Sequence, residues 1–139
     1  MKKIEIINGP NLNLTGVREP EIYGSETMEQ MVDRLRKRFP QLEIGYFQSN
    51  VEGEIINHIQ HVGFTAEGLI VNMGGYSHTS VAIRDALLAV PASKIEVHLS
   101  NIFAREEYRH HSLITNACRG MICGFGLEGY VLAINALLL

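Results

Sequence analysis

Five short apolar segments recur along the chain, separated by stretches with the length and polarity of helices and loops. Residues 3–7 (Lys3-Ile4-Glu5-Ile6-Ile7) predict a first strand, 43–48 a second, 68–72 (Gly68-Leu69-Ile70-Val71-Asn72) a third, 94–99 a fourth and 120–124 a fifth. The third is apolar until its end, as a strand covered on both faces must be. A helix is predicted over 28–39, capped by Ser25 or Thr27 and stopped at Pro40. A second, to about residue 62, opens on the capping-box pattern Ser49-Asn50-Val51-Glu52 and ends at Gly63. Two more are predicted over 80–90 and 127–138.

Strands alternating with helices imply an α/β doubly wound, five-stranded parallel sheet. At this length the flavodoxin-like order 2-1-3-4-5 fits, which puts the switch point between strands one and three. The loops after strands one, three and four, residues 8–24, 72–80 and 98–109, should then converge on one cleft. The loop after strand two, Ser49-Asn50, reads as short and ordinary.

Composition narrows the function classes. With 139 residues, one catalytic domain over 1–139 is expected. A net charge of −3 with dispersed basic residues speaks against nucleic acid; only Arg34, Arg36, Lys37 and Arg38 cluster, on a solvated helix face. No stretch reaches the roughly 20 apolar residues of a membrane span. The opening Met1-Lys2-Lys3-Ile4-Glu5 meets an acid too soon for a signal peptide, so a cytoplasmic location is expected. Cys118 and Cys123, read as lying on one strand, point to opposite faces and serve as small buried hydrophobes. His58 and His61 share a helix but lack a third ligand, so no metal is expected. His110 and His111 diverge and read as surface residues or supports of a site. Gly124-Phe125-Gly126-Leu127-Glu128-Gly129 fits GxGxxG, yet it follows the last strand, and close strand-to-helix packing explains it better than a dinucleotide. All four lysines fall away from the expected cleft, which disfavours an imine mechanism.

Three constellations carry candidate chemistry. Glu96, His98 and Ser100 alternate onto one face of the fourth strand, with Ile95, Val97 and Leu99 on the other. Either His98 is an acid or base oriented by Glu96, or the three form a solvated strand end. Arg18 and Tyr23 lie in the loop after strand one and are either a base with its cation or part of an exposed surface loop. A tyrosine base must be brought from near pH 10 to near pH 7, a change of roughly 4 kcal/mol. One guanidinium about 4 Å away supplies roughly that much at an effective dielectric of 20. Burial opposes the change, so a second cation, Arg105 or Arg109, would help. Asn72-Met73-Gly74-Gly75-Tyr76-Ser77-His78-Thr79-Ser80 is either a cradle for an anion or polyol or a glycine turn with helix caps.

With these residues identified, the chain resembles the type II 3-dehydroquinate dehydratases nearly end to end. The matching segments are Asn8-Gly9-Pro10-Asn11-Leu12, Arg18-Glu19-Pro20-Glu21-Ile22-Tyr23-Gly24, His78-Thr79-Ser80-Val81-Ala82-Ile83-Arg84-Asp85-Ala86 and Glu96-Val97-His98-Leu99-Ser100-Asn101, with Ala104-Arg105-Glu106-Glu107-Tyr108-Arg109 continuing the pattern. The resemblance implies a flavodoxin-like fold, no cofactor or metal, and a homo-oligomer, a dodecamer of four trimers. It implies dehydration of the small-molecule substrate 3-dehydroquinate to 3-dehydroshikimate in the shikimate pathway of aromatic amino acid biosynthesis. Tyr23 would be the base, with Arg18 lowering its pKa, and Asn11 would stabilise the enolate through a water. His98, oriented by Glu96, would protonate the departing hydroxyl. Asn72 and the amides of Leu99 and Ser100 would hold the carboxylate, and His78 and Arg109 the ring hydroxyls. Asp85 would reach a neighbouring subunit's site, Arg105 would be a mobile-loop arginine, and residues 18–24 would form a lid hinged near Gly16 and Gly24. Met73 and Phe103 depart from the usual pattern.

Overall fold

A computed structural model describes residues 2–139, except for the side chain of Tyr23. Strands β1 (Lys2–Asn8), β2 (Leu42–Gln48), β3 (Gly68–Asn72), β4 (Ser93–His98) and β5 (Gly120–Cys123) form one sheet of order β2-β1-β3-β4-β5. Every pairing is parallel, and Asn8 of β1 stands beside Asn72 of β3. The helices are α1 (Pro20–Tyr23), α2 (Met28–Arg38), α3 (Glu52–Val62), α4 (Val81–Ala89) and α5 (Glu128–Leu137). The expected doubly wound sheet and its order are therefore present.

Alternation along each strand divides the core in two. Ile4, Ile6, Ile70, Ile95 and Val97 pack against Met31, Leu35, Tyr130 and Ile134 of α2 and α5. Ile7, Leu69 and Val71 pack against Ile55, Ile59, Ile83 and Leu87 of α3 and α4. α2 starts at a full capping box: Thr27 accepts from the Gln30 amide, and the Gln30 side chain accepts from the Thr27 amide.

The start of α3 differs from the expected capping box. Its N-cap is Val51, and the Ser49 hydroxyl accepts from the Val51 amide while donating to Glu54. Glu52 instead accepts from Ser80 at the start of α4, 2.5 Å away, so a pattern that looked local joins two helices. Cys118 precedes β5 rather than lying on it, and both cysteines are half-buried and unpaired.

Candidate active site

The carboxyl ends of β1, β3 and β4 open on a cleft of about 210 Å³. Its walls hold Asn11 and Arg18 after β1, Asn72 and His78 at and after β3, and His98, Leu99, Ser100, Arg105 and Arg109 at and after β4. Gly9 lets the first two loops meet. A Cβ there would lie 2.5 Å from the Met73 carbonyl, and the Gly9 amide donates to the Asn72 carbonyl at 2.7 Å. The two residues that depart from the resemblance both lie outside the cleft: Met73 is in the core, and Phe103 is exposed beside the His110 ring.

His98 ends β4 and is 5% exposed, while Glu96 behind it is completely buried. The solvated-strand-end alternative is therefore excluded. His98 Nε2 lies 2.5 Å from Glu96 Oε2. An ionised carboxylate can only accept, so Nε2 carries the hydrogen and Nδ1 is the nitrogen left for a ligand. Glu96 also accepts from the Ser112 hydroxyl at 2.6 Å and the Thr115 hydroxyl at 2.5 Å. Burial pushes its carboxyl up, but these three donors outweigh burial and hold it below the usual carboxylate value. The site thus keeps a fixed buried anion behind an imidazole.

His78 is built from the same segment. Its Nδ1 donates to the His111 carbonyl at 2.9 Å, leaving Nε2 free, and its ring stacks on His98 with centroids 6.0 Å apart. The Leu113 amide donates to the Ser77 carbonyl at 2.7 Å, so residues 111–115 support both cleft histidines. Sequence reading placed His111 only loosely and missed Ser112 and Thr115, whose hydroxyls carry no local signal of their partner.

Asn11 adopts a left-handed backbone, φ 71°, and its amide donates to Asn50 Oδ1 at 3.0 Å. Asn50 Oδ1 also accepts from Gln48 Nε2, and the Asn50 carbonyl accepts from the Tyr76 hydroxyl. The loop after β2 is thus not ordinary, because it fixes the turn that presents Asn11. The run of amides in Gln48-Ser49-Asn50 was the available signal.

The arginines make the cleft attractive to an anion. Arg18 is exposed at its mouth, and Arg105 reaches to 3.4 Å from the Ser100 hydroxyl. Arg109 donates to Glu106 at 2.9 Å. The Glu106 carboxyl is held below its usual value by its own backbone N–H and by Arg109 and Arg105. Asp85 is exposed on α4, outside its own chain's cleft. Of the hydroxyl cluster after β3, Ser80 caps α4 by accepting from the Ile83 amide, and neither Ser77 nor Thr79 lines the cleft. The cap alternative therefore holds for Ser80, whereas Gly74, Gly75 and His78 do face the cleft. The Tyr23 side chain lies outside the described residues.

Among the described residues no group of three or more His, Cys, Asp or Glu side chains is arranged to hold a metal. Among the described residues no helix is long and apolar enough to cross a membrane. What the cleft offers is an imidazole backed by a carboxylate, amides, and cations able to hold an oxygen-rich anion.

The profile described as dehydroquinase class II matches residues 2–138. The chain is 53% identical over 138 residues to a 3-dehydroquinate dehydratase of Clostridium perfringens, covering 97% of this chain and 94% of that one. It is 50% identical over 140 residues to a 3-dehydroquinate dehydratase of Caldicellulosiruptor bescii, covering 99% and 97%. The crystal structure of a type II dehydroquinase from Butyrivibrio crossotus superposes with a TM-score of 0.94 at 46% identity, covering 99% and 98% of the two chains. The chain belongs to the class II dehydroquinase family, the type II 3-dehydroquinate dehydratases.

Proposed function

We propose that the chain, as one catalytic domain, dehydrates 3-dehydroquinate to 3-dehydroshikimate through an enolate. The observation that carries this reading is the His98–Glu96 pair, which leaves one imidazole nitrogen for the cleft and backs it with a buried charge. Tyr23 takes the proton from the carbon beside the substrate ketone, with Arg18 stabilising the phenolate. The enolate oxygen is held through a water on Asn11, an electrostatic task. His98, oriented by Glu96, gives a proton to the departing hydroxyl, which leaves as water. A carbon–hydrogen bond and a carbon–oxygen bond break and a carbon–carbon double bond forms, so neither an oxidant nor a resident cofactor is called for.

Asn72 and the backbone amides of Leu99 and Ser100 hold the substrate carboxylate in this scheme. His78 Nε2 and Arg109 meet ring hydroxyls, and Arg105 follows the ligand in. The positive φ of Gly16 and Gly24, 90° and 83°, suits a lid over residues 18–24 hinged at its ends. The exposure of Asp85 suits a side chain that completes a neighbouring subunit's site in a dodecamer of four trimers. The assembly is assigned to the cytoplasm.

The test is ultraviolet absorbance after adding 3-dehydroquinate, because elimination creates a conjugated enone. A rise that persists after chelator and borohydride treatment is expected, and no rise from folded protein overturns the reading. Tyr23→Phe should abolish most turnover while retaining ligand affinity. Full activity in that variant would remove Tyr23 from the role of base.

A further inference from the structure

Asn8 and Asn72 end neighbouring strands at the switch point of the sheet, and both are buried. Between their side-chain amides lies the phenol oxygen of Tyr130, on α5. None of the steps above uses Tyr130 or Asn8.

The direction of this hydrogen-bonded chain is fixed from one end. The Gly74 amide, which can only donate, points to Asn72 Oδ1 at 3.3 Å. Asn72 Nδ2 therefore faces Tyr130 and donates to its oxygen at 3.0 Å. The phenol has a single proton, which goes to Asn8 Oδ1 at 2.8 Å. The reverse direction would supply a partner for Asn8 Nδ2, a buried donor that meets no hydrogen-bond partner among the described residues. It would also set two donors against each other at Gly74, and that is the arrangement the fold avoids. Burial pushes the Tyr130 hydroxyl above its usual value despite its two asparagine contacts, so its proton stays in place across the working range.

An amide nitrogen carries two hydrogens. Tyr130 takes one from Asn72, and the other has no protein acceptor among the described residues, on a side chain that lines the cleft. We propose that Tyr130 is a positioning residue for substrate binding, holding the Asn72 amide so that its remaining Nδ2 hydrogen is aimed at the substrate's carboxylate. This rests on the reading of Asn72 as a carboxylate ligand. It also gives the glycine-rich turn before α5 a purpose. Gly124 and Gly126 adopt positive φ, and at Gly129 an added Cβ would lie 3.2 Å from Val97 Cγ1. The helix can then settle on the sheet and bring Tyr130 to the strand ends.

The test compares Tyr130→Phe, Asn72→Ala and the double variant in steady-state assays with 3-dehydroquinate, alongside thermal melts. Tyr130→Phe keeps the ring and frees the amide to turn. Its KM should rise about tenfold, the size of one lost hydrogen bond to a charged group, with kcat within about twofold. In the Asn72→Ala background the same change should add little to KM. If Asn72→Ala raises KM but Tyr130→Phe only lowers the melting temperature, positioning is overturned and the carboxylate reading stands. If the two increases simply multiply, positioning is likewise overturned. If Asn72→Ala leaves KM unchanged, the carboxylate reading fails and takes this proposal with it. Should Tyr130→Phe not fold, Asn8→Leu removes the acceptor that orients the phenol. Its KM should rise severalfold, and an unchanged KM there counts against the proposal.

Discussion

The same face of the sheet carries two glutamate–histidine pairs whose carboxylates are buried. Glu96 and His98 lie on β4, whereas Glu5 lies on β1 and reaches His58 on α3; both contacts measure 2.5 Å. In each, the imidazole solves the problem of a carboxylate deprived of water. The surroundings differ. His58 stacks flat on Phe47, with centroids 4.0 Å apart, and lies away from the cleft. His98 faces the cleft, and Glu96 receives two further hydroxyl donors. An imidazole paired with a buried carboxylate is thus a packing solution by default. What sets the Glu96–His98 pair apart is that its ring faces the cleft and its carboxylate is also held by two hydroxyls, not by the ring alone.

The largest expected difference comes from deleting each histidine. His98→Ala should lower turnover by about 10²–10⁴-fold, the range for a lost general acid, in steady-state assays of folded protein. His58→Ala should leave kcat and KM within about twofold but strand a buried carboxylate, costing about 3–5 kcal/mol in denaturant unfolding. Loss of turnover in folded His58→Ala protein would break the distinction.

Removing the hydroxyls around Glu96 tests the second half of the comparison. Ser112→Ala with Thr115→Val should reduce kcat by about tenfold with little change in KM, and Thr115→Ser should restore most of the Thr115 share. The pH dependence of stability has a definite sign. Folding depresses the Glu96 pKa, so its contribution is present above the usual carboxylate value and is lost as pH falls through the folded value. Without the hydroxyls the folded value rises, and acid unfolding should begin at a higher pH. An unchanged acid-unfolding midpoint would show that the hydroxyls do not hold the charge.

The comparison also separates what the sequence could disclose from what it could not. Glu96 and His98 were legible because they stand two apart on a strand, where alternation puts them on one face. Apolar runs alternating with helices implied the doubly wound sheet, the chain's length suited the order 2-1-3-4-5, and that order located the cleft before any side chain was placed. Glu5 and His58 are 53 residues apart, and no periodicity links them. Ser112, Thr115 and Asn50 were missed for the same reason, since their partners lie 16, 19 and 39 residues away. Tyr130 was hidden by an apolar helix in which one hydroxyl does not disturb the pattern. The false capping box at Ser49 failed through competition: Glu54 takes the serine, and Ser80 takes Glu52. Short-range patterns report geometry, but they do not say which of several nearby acceptors wins.

Gly45→Ala should have the smallest effect on catalysis, and it probes the pair that lies away from the cleft. Gly45 stands opposite Glu5 in the β1–β2 register, and an added Cβ would lie 1.8 Å from Glu5 Oε1 and 2.8 Å from its carboxyl carbon. The end of a glutamate can usually swing aside. Here it is tied to His58 under α3, so either the hydrogen bond or the strand spacing must give. A loss of about 1–3 kcal/mol is expected, the usual scale for overpacking, with kcat and KM unchanged. In the His58→Ala background the carboxylate is untied and can turn away, so the added cost of the methyl should shrink and the two changes should be less than additive. Glu96 has no glycine opposite it; its register neighbours are Val71 and Met121. Its carboxylate is seated by hydroxyls from the following segment, and those hydroxyls belong to the chain that carries the cleft arginines. The first pair occupies a space that a missing side chain leaves open, whereas the second is gripped by donors brought to it. Full additivity of Gly45→Ala and His58→Ala would show that Glu5 is held by the strands rather than by its histidine.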